Sequence, residues 1–193
     1  MANFDISYYK NTYNAAPSEL LVKALSFSRQ NVSLTLDLGC GAGRDTRLLL
    51  EKGFIVTAVD AQEEVAKYLH SLSRQEKLTF VHCSFYNFQF QKYDIINARY
   101  ALPFSPPDEF NVMFQRLKDS LLPGGVFVGQ LFGPNDEWNT PASKMTFHSL
   151  NEVKYLLADL EILEITETDK SGSLADGSSK HWHVFDIIAR KSN

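Results

Sequence analysis

The pattern of apolar and polar positions changes period several times along this chain. Short apolar runs predict strands at 32–38, 53–60, 78–84, 93–104 (with its exit loop) and 126–132. Apolar residues at helical spacing predict helices at 18–27, 45–50, 63–73 and 105–121. In the helix at 63–73, Val65, Ala66 and Leu69 are expected to face the core. Strands that alternate with helices are typical of a parallel sheet whose two faces are covered by helices.

The C-terminal segment predicts a different arrangement. A capping box at Ser149–Glu152 begins a helix that continues to Ala158. Residues 160–168 alternate apolar and polar positions, and 182–190 form a further strand. The Ser- and Gly-rich residues 169–180 between them predict a mobile loop. Two strands without an intervening helix form an antiparallel hairpin at the edge of a sheet.

Composition and charge restrict the possible partners. The chain has 193 residues, 44% of them hydrophobic, which suits one domain (1–193) with an N-terminal lid and helix at 1–30 and a core at 31–193. A formal net charge of −4 argues against nucleic acid or an anionic membrane as partner. The N-terminus lacks the apolar segment of a signal peptide, and Cys40 and Cys83 are expected to be unpaired thiols. We therefore expect a cytoplasmic monomer or homodimer.

The most informative stretch is Leu34–Thr46, which reads L-T-L-D-L-G-C-G-A-G-R-D-T. A buried strand, a glycine turn and the start of a helix allow a nucleotide-like ligand to approach the backbone closely. The glycine spacing is G-x-G-x-G, whereas a dinucleotide fingerprint would need a glycine in place of Arg44. Asp37 would repel a pyrophosphate laid over this turn, but it would attract a ligand with a positive α-amino group.

A second acid, Asp60, ends the next predicted strand. It follows the glycine turn by roughly 20 residues, where a carboxylate can accept both ribose hydroxyls of an adenosine. Two acids at two strand ends, with glycines between them, therefore predict a ligand that carries both a ribose and an ammonium group.

These features resemble the class I S-adenosylmethionine-dependent methyltransferases. Their first motif, D-x-G-x-G-x-G, matches Asp37–Gly43, and their ribose-binding acid matches Asp60. The L-x-P-G-G turn at 121–125 is shared as well, and the chain is similar to the small single-domain members, among them the tellurite-resistance type. The resemblance implies a Rossmann-like α/β fold whose seven-stranded, mostly parallel sheet has the order 3-2-1-4-5-7-6. It also implies S-adenosylmethionine as the cofactor.

The resemblance further implies a set of cofactor-binding residues. In relatives, an acid after the third strand often faces the adenine amino group. Here Ser84 and Phe85 stand at that place, so a weaker polar contact and an apolar wall are expected. The candidate cofactor residues are Asp37, Gly39, Cys40, Gly41, Gly43, Arg44, Asp60, Ala61, Ser84, Phe85 and Asn97.

The methyl acceptor is expected to bind beyond the fourth strand, because ligands of open parallel sheets collect at the carboxyl ends of the strands. The loop after that strand lacks the N-P-P-Y or D-P-P-Y motif of base-amino methyltransferases and the Pro-Cys of cytosine C5 enzymes. A small-molecule acceptor is therefore favoured over nucleic acid. Arg99 is either an exposed charge or an anchor for an anionic acceptor. The candidate substrate residues are Tyr13, Arg99, Tyr100 and Trp138.

Several alternatives stay open at this stage. Residues 1–17 and 133–141 are either lids over the cofactor or aromatic segments packed on the core. His82 is expected to be packed rather than catalytic, and His181 and His183 are half of a metal site, part of the sheet edge or substrate contacts. No residue is identified as a general base. The predicted activity is methyl transfer to a small molecule, and the alternatives are an NAD(P)-dependent oxidoreductase and a non-catalytic cofactor-binding module.

Overall fold

The computed structural model describes residues 6–29, 33–72 and 76–193, so that Val32 and Ser73 of the predicted elements lie outside it. The strands are β1 (Leu34–Leu38), β2 (Ile55–Asp60), β3 (Leu78–His82), β4 (Tyr93–Ala98), β5 (Leu121–Phe132), β6 (Leu160–Ser173) and β7 (Ser179–Lys191). The helices are α1 (Ile6–Tyr13), α2 (Glu19–Leu25), α3 (Arg44–Glu51), α4 (Val65–Leu69), α5 (Pro107–Ser120) and α6 (Leu150–Leu156). One turn of 3₁₀ helix, Leu102–Phe104, follows β4.

The seven strands form one sheet in the order β3-β2-β1-β4-β5-β7-β6. β1 pairs in parallel with β2 and β4, and β3 and β5 continue the parallel pairing on either side. β7 pairs antiparallel with both β5 and β6. The predicted fold, sheet order and C-terminal hairpin are confirmed. Because the strand order reverses between β1 and β4, a crevice opens beyond the carboxyl ends of these strands.

Helices cover both faces of the sheet, so the central strands are buried on both sides. In β5, Phe127 belongs to a core cluster with Phe114 of α5. The neighbouring Val128 belongs to a second cluster, which includes Leu21 of α2 and Leu49 of α3. Apolar burial in both layers stabilises the sheet and keeps the carboxyl ends of the strands in a fixed arrangement.

The β6–β7 hairpin is longer than the sequence predicts. Strand pairing continues as far as Ser173 and Ser179, so the predicted loop over 169–180 is wrong. Polar residues can lie in an edge strand, because the ladder uses backbone groups while the side chains face solvent. Side-chain pairs across the strands add to this ladder, and Nε2 of His181 lies 2.6 Å from Oδ1 of Asp169.

Three shorter segments also differ from prediction. α4 ends at Leu69, and Ala66 is exposed rather than inward, which costs little for so small a side chain. β5 begins at Leu121, within the predicted end of the preceding helix. His82 is exposed rather than packed, and its Nε2 lies 3.1 Å from the carbonyl oxygen of Ala61.

The N-terminal segment is helical from Ile6 to Tyr13, whereas the sequence analysis predicted no helix before residue 18. Tyr9 is 3% exposed, and its ring contacts that of Tyr68 with the two centroids 5.7 Å apart. Both cysteines of the chain are free thiols, as expected. Within the described residues, no helix has the length and apolar character needed to cross a membrane.

Candidate active site

The glycine turn after β1 brings bare backbone to the crevice. Gly39 has a φ of 75°, and a Cβ at this position would lie 2.4 Å from the Cβ of Ala101, so a larger residue does not fit. Gly41 has a φ of 51°, and no atom lies within 4 Å of the place where its Cβ would stand. The turn therefore packs closely on one side and leaves open space on the other, before α3 begins at Arg44.

The carboxylate of Asp37 lies at the floor of the crevice, where it is 2% exposed. It accepts hydrogen bonds from Thr46 Oγ1 at 2.5 Å and from Asn97 Nδ2 at 2.8 Å. Burial, and next the nearby negative charge of Asp45, raise the pKa of Asp37 to about 7. A buried carboxylate with so high a pKa favours a cationic partner, because a positive charge would offset the loss of hydration.

Asp45 is a site residue that the sequence analysis missed. Its carboxylate accepts hydrogen bonds from the backbone N–H of Ser18 at 2.9 Å and from Arg44 Nε at 3.1 Å. It therefore ties the start of α2 to the start of α3 and holds the guanidinium of Arg44 at the crevice. The only sequence signal was an acid in the first turn of the helix that follows the glycines.

Asp60 shapes the glycine turn from the end of β2. Its Oδ2 accepts a hydrogen bond from the backbone N–H of Gly41 at 2.9 Å, and its Oδ1 accepts one from Gln62 at 3.0 Å. Each carboxylate oxygen can accept a further hydrogen bond from a ligand hydroxyl. Burial raises the pKa of Asp60, and the hydrogen bonds from the backbone oppose that shift.

Two cavities meet at this edge of the sheet. The first, here called the β4 cavity, has a volume of about 790 Å³ and is lined by Asp37, Asn97 and the loops that follow β4 and β5. The second, here called the β2 cavity, has a volume of about 880 Å³ and is lined by Asp60 and the loop that follows β3. They share Arg99 and Tyr100 as lining residues. A ligand with two chemically different ends can therefore span both cavities.

The structure brings most of the predicted site residues to these cavities. The β4 cavity contains Asp37, Gly39, Cys40, Gly41, Arg44, Asn97, Arg99, Tyr100 and Trp138. The β2 cavity contains Asp60, Ala61, Ser84 and Phe85, and it shares Gly39 and Gly41 with the first. The cavity-lining residues that the predicted set lacked include Tyr8, Phe104 and Trp182.

Two predicted site residues do not line either cavity. A Cβ on Gly43 would lie 2.5 Å from Cδ2 of Leu69, so this glycine serves close packing of the turn against α4. The hydroxyl of Tyr13 lies 3.2 Å from Oγ of Ser71, and the guanidinium of Arg47 lies over the Tyr13 ring. Tyr13 is thus directed away from the cavities by α1, whereas Tyr8 on the same helix lines both.

Aromatic rings form one side of the β4 cavity. This aromatic wall consists of Tyr100, Phe104, Trp138 and Trp182. The centroids of the two tryptophan rings are 5.5 Å apart, and the ring of Tyr100 is 5.6 Å from that of Trp182. Behind the wall, Nζ of Lys180 lies 3.7 Å from the ring centroid of Trp182 and 4.3 Å from that of Trp138.

The loop at 133–141 is anchored beneath this wall by a buried carboxylate. Oδ1 of Asp136 accepts hydrogen bonds from Lys180 Nζ at 2.5 Å and from the backbone N–H of Trp138 at 3.0 Å. Its Oδ2 accepts one from the backbone N–H of His183 at 3.2 Å. These bonds favour a fixed wall over a lid at 133–141. A lid role for either aromatic segment stays a prediction, and residues 1–5 lie outside the described part of the chain.

Comparison with known proteins agrees with this geometry. Residues 35–125 match the family model described as a methyltransferase domain. This part of the chain, which includes the glycine turn, Asp37 and Asp60, is therefore similar to a methyltransferase domain. No curated protein matches the chain.

Solved structures share the fold of this chain. TehB from Haemophilus influenzae is 22% identical to this chain, with a TM-score of 0.76. The match covers 93% of this chain but only 63% of the TehB chain. NodS from Bradyrhizobium japonicum is an N-methyltransferase whose structure contains S-adenosylhomocysteine. It is 16% identical with a TM-score of 0.68, and the match covers 98% of this chain and 100% of the NodS chain. A Burkholderia thailandensis 1,6-didemethyltoxoflavin-N1-methyltransferase is 22% identical with a TM-score of 0.64, over 91% and 79% of the two chains. At these identities the likeness shows a common fold.

The residues present fit S-adenosylmethionine, the cofactor that the resemblance implies. Asn97 Oδ1 is buried and has no hydrogen-bond partner among the described residues, while Nδ2 of the same side chain donates to Asp37. An ammonium group placed there would supply a donor to Asn97 and a counter-charge to Asp37. The open face of Gly41 leaves room for a ligand between this point and Asp60.

The two C-terminal histidines belong to the β6–β7 hairpin. Nε2 of His183 lies 2.9 Å from Oε1 of Glu167, and His181 is paired with Asp169. Among the residues that the structure describes, no group of three or more His, Cys, Asp or Glu side chains could hold a metal ion. These contacts favour the sheet-edge interpretation of both histidines over half of a metal site.

Proposed function

We propose that this protein is a methyltransferase that transfers the methyl group of S-adenosylmethionine to a small-molecule acceptor by direct in-line displacement. The observation that carries the proposal is the pair of carboxylates, Asp37 and Asp60, on the two sides of an open glycine turn. They lie at neighbouring strand ends, and each lines one of two cavities that meet. This arrangement suits a ligand with an ammonium group at one end and a ribose in the middle.

Each part of the cofactor is assigned to residues of known placement. Asp37 and Asn97 would hold the α-ammonium group, next to the backbone of Gly39, Cys40 and Gly41 and the side chain of Arg44. Asp60 would accept the ribose hydroxyls. The adenine ring would lie among Ala61, Ser84 and Phe85, all of which line the β2 cavity.

When bound, the cofactor supplies a methyl group that leaves its sulfonium as an acceptor lone pair attacks, and S-adenosylhomocysteine remains. The residues of the chain then have to align the acceptor and to exclude water, rather than to supply a strong acid or base. No histidine is among the described residues that line the two cavities. This supports an acceptor that is a good nucleophile by itself, such as a thiol, an amine or a chalcogen.

The size of the acceptor follows from the aromatic wall. Phe104, Trp138 and Trp182 line the β4 cavity together with the glycine turn, and its volume of about 790 Å³ suits a small acceptor. Small ligands bind in concave, mostly apolar sites of this kind. The Burkholderia neighbour, whose structure holds 1,6-didemethyltoxoflavin, shows that this fold admits a small acceptor.

The test has a binding part and a turnover part. Calorimetry should show binding of S-adenosylhomocysteine and no binding of NAD. Asp60→Ala should weaken S-adenosylhomocysteine at least about tenfold, because two hydrogen bonds to a charged acceptor are lost. Asp119→Ala, an exposed acid that lines neither cavity, is the matched control and should bind as the parent does.

Turnover is measured as S-adenosylhomocysteine released across a panel of small thiols, amines, phenols and selenite. Release with at least one acceptor supports the proposal. Binding of S-adenosylhomocysteine without turnover of any acceptor would support a non-catalytic module instead. Binding of NAD without binding of S-adenosylhomocysteine would mean that the glycine turn has been misinterpreted.

A further inference from the structure

Arg99 is the first residue after β4, and it lines both cavities at the place where they meet. Its Nε is buried and has no hydrogen-bond partner among the described residues. Its guanidinium lies over the ring of Tyr100, 5.0 Å from the ring centroid. A buried donor of a charged group that lacks a partner is costly, so a ligand oxygen at this place would be bound strongly.

The other charged groups of the β4 cavity already have partners. Arg44 donates to Asp45, and Oε2 of Glu137 accepts a hydrogen bond from the backbone N–H of His181 at 2.7 Å. In the part of the chain that the structure describes, Arg99 takes part in none of the ion pairs. Arg99 is therefore the cation that is available to an anionic ligand here.

Tyr100 connects this cation to the aromatic wall. It is the one residue other than glycine with a positive φ in the described chain, at 48°. A tyrosine in this conformation is strained, and such strain is often found at functional sites. The strained backbone places the Tyr100 ring beneath Arg99 and 5.6 Å from the ring of Trp182. The guanidinium that would bind an anion and the rings that would bind a flat apolar group therefore lie side by side.

The wall is also rigid, which suits recognition of a flat ligand. Lys180 contacts the rings of both tryptophans from behind and is paired with Asp136, and the two side chains are 1% and 0% exposed. Aromatic side chains that are held in place present flat faces, on which another planar ring stacks or packs edge-to-face.

We propose that the acceptor is a planar aromatic acid, whose ring packs on the aromatic wall and whose anionic group is bound by Arg99. This inference rests on the proposed function, because it assigns an acceptor to the same cavity. It makes Arg99 the residue that selects an anionic acceptor, whereas Asp37 and Asp60 select the cofactor.

Tryptophan fluorescence gives a direct readout, because the chain has two tryptophans and both line the β4 cavity. The protein is saturated with S-adenosylhomocysteine and titrated with benzoate or with benzamide, which has nearly the same shape but no charge. We expect benzoate to bind at least about tenfold more tightly, as one hydrogen bond to a charged group implies. Arg99→Gln should abolish this preference. Arg190→Gln, which is paired with Glu161 on the hairpin and lines neither cavity, should keep it.

Calorimetry of S-adenosylhomocysteine on the same variants separates the inference from its main alternative. If Arg99→Gln weakens S-adenosylhomocysteine and leaves the preference for benzoate intact, then Arg99 binds the cofactor and the inference is wrong. Equal binding of benzoate and benzamide, or binding of neither, also overturns it. If selenite, an anion without a ring, competes with benzoate at equal affinity, the wall does not recognise the ring and the inference fails.

Turnover completes the test with a matched pair of acceptors, 4-mercaptobenzoate and 4-mercaptobenzamide. The acid should be methylated with a kcat/KM at least about tenfold higher, and Arg99→Gln should remove that difference. Equal kcat/KM for the two thiols would overturn the inference and leave the proposed function intact. Failure to bind S-adenosylhomocysteine at all would instead overturn the proposed function.

Discussion

The two sides of the site are built in different ways. The cofactor half, defined by Asp37, the glycine turn and Asp60, consists of strand ends and bare backbone within one short part of the chain. The acceptor half, defined by Arg99 and the aromatic wall, takes side chains from loops that lie far apart in sequence. The first half is held by hydrogen bonds to the backbone, and the second is held by ring contacts and one buried ion pair.

This difference shows how one fold can keep a cofactor and change its acceptor. Backbone at a glycine turn has few ways to vary, so a ligand with constant chemistry can be bound there. Side chains on loops can be replaced without disturbing the sheet, so the acceptor half is free to differ between members of a family. The following three predictions test whether the halves are as separate as their construction suggests.

The largest effect is expected from Asp136→Asn. This change leaves the Lys180 ammonium buried without a counter-charge beneath the aromatic wall, and burial already lowers the pKa of that lysine. We expect the free energy of unfolding to fall by about 3 kcal/mol or more. Chemical denaturation followed by tryptophan fluorescence measures this loss. The cofactor half should be unchanged in this variant. Calorimetry should therefore give an affinity for S-adenosylhomocysteine within about twofold of the parent, which is a difference in binding free energy of less than about 0.5 kcal/mol.

The matched control is Glu161→Gln, which breaks a pair with Arg190 in which the two side chains are 55% and 33% exposed. A surface pair of this kind contributes about 1 kcal/mol or less, so the loss should be small. If Asp136→Asn weakened cofactor binding as much as it weakened folding, the two halves would form one cooperative unit and the comparison would fail.

The second effect is a dependence of S-adenosylhomocysteine affinity on pH, about tenfold for each pH unit, which we attribute to Asp37. Its pKa is raised from 3.8 to about 7, so the free protein protonates this carboxylate as the pH falls below 7. The protonated form has no charge to offer an ammonium group, and S-adenosylhomocysteine affinity should fall about tenfold per unit below that point. The stability of the ligand-free protein should depend on pH in the opposite direction. Between about pH 4 and pH 7 the folded protein keeps this proton, whereas the unfolded chain has lost it. The free energy of unfolding should therefore decrease as the pH rises through this range.

Calorimetry and thermal unfolding across that pH range measure both slopes. Asp37→Asn removes the titrating group, so we expect it to bind S-adenosylhomocysteine weakly at every pH and to flatten both curves. A parent protein whose affinity did not change with pH would show that Asp37 does not hold the ammonium group.

The smallest effect is expected from two tyrosines of α1. Tyr8 lines both cavities, and burial raises the pKa of its hydroxyl while Arg44 and Arg99 oppose the shift. Tyr8→Phe should weaken S-adenosylhomocysteine by about twofold to tenfold, the range for one hydrogen bond. Tyr13→Phe, on the same helix but outside both cavities, should have no measurable effect in the same calorimetric titration. Equal losses in both variants would mean that α1 acts through packing alone.

The sequence by itself determined the sheet and the cofactor half. The antiparallel hairpin and the placement of Asp37 and Asp60 follow from apolar runs and from the positions at which those runs end, whereas the strand order was implied by the resemblance of these motifs to a known family. Spacing carries this information, because a carboxylate at the end of a parallel strand always faces the same edge of the sheet. Most predicted cofactor residues line the cavities for this reason, and Gly43 is the exception because it serves packing against α4.

Only the tertiary structure decided the acceptor half. Trp182 lies within a strand, and nothing in its neighbourhood in the sequence places it 5.5 Å from Trp138. Tyr8 and Tyr13 are alike in sequence, yet the orientation of α1 sends one to the cavities and the other to Ser71. Contacts between distant segments depend on how loops pack after the sheet has formed, and no local period records that packing.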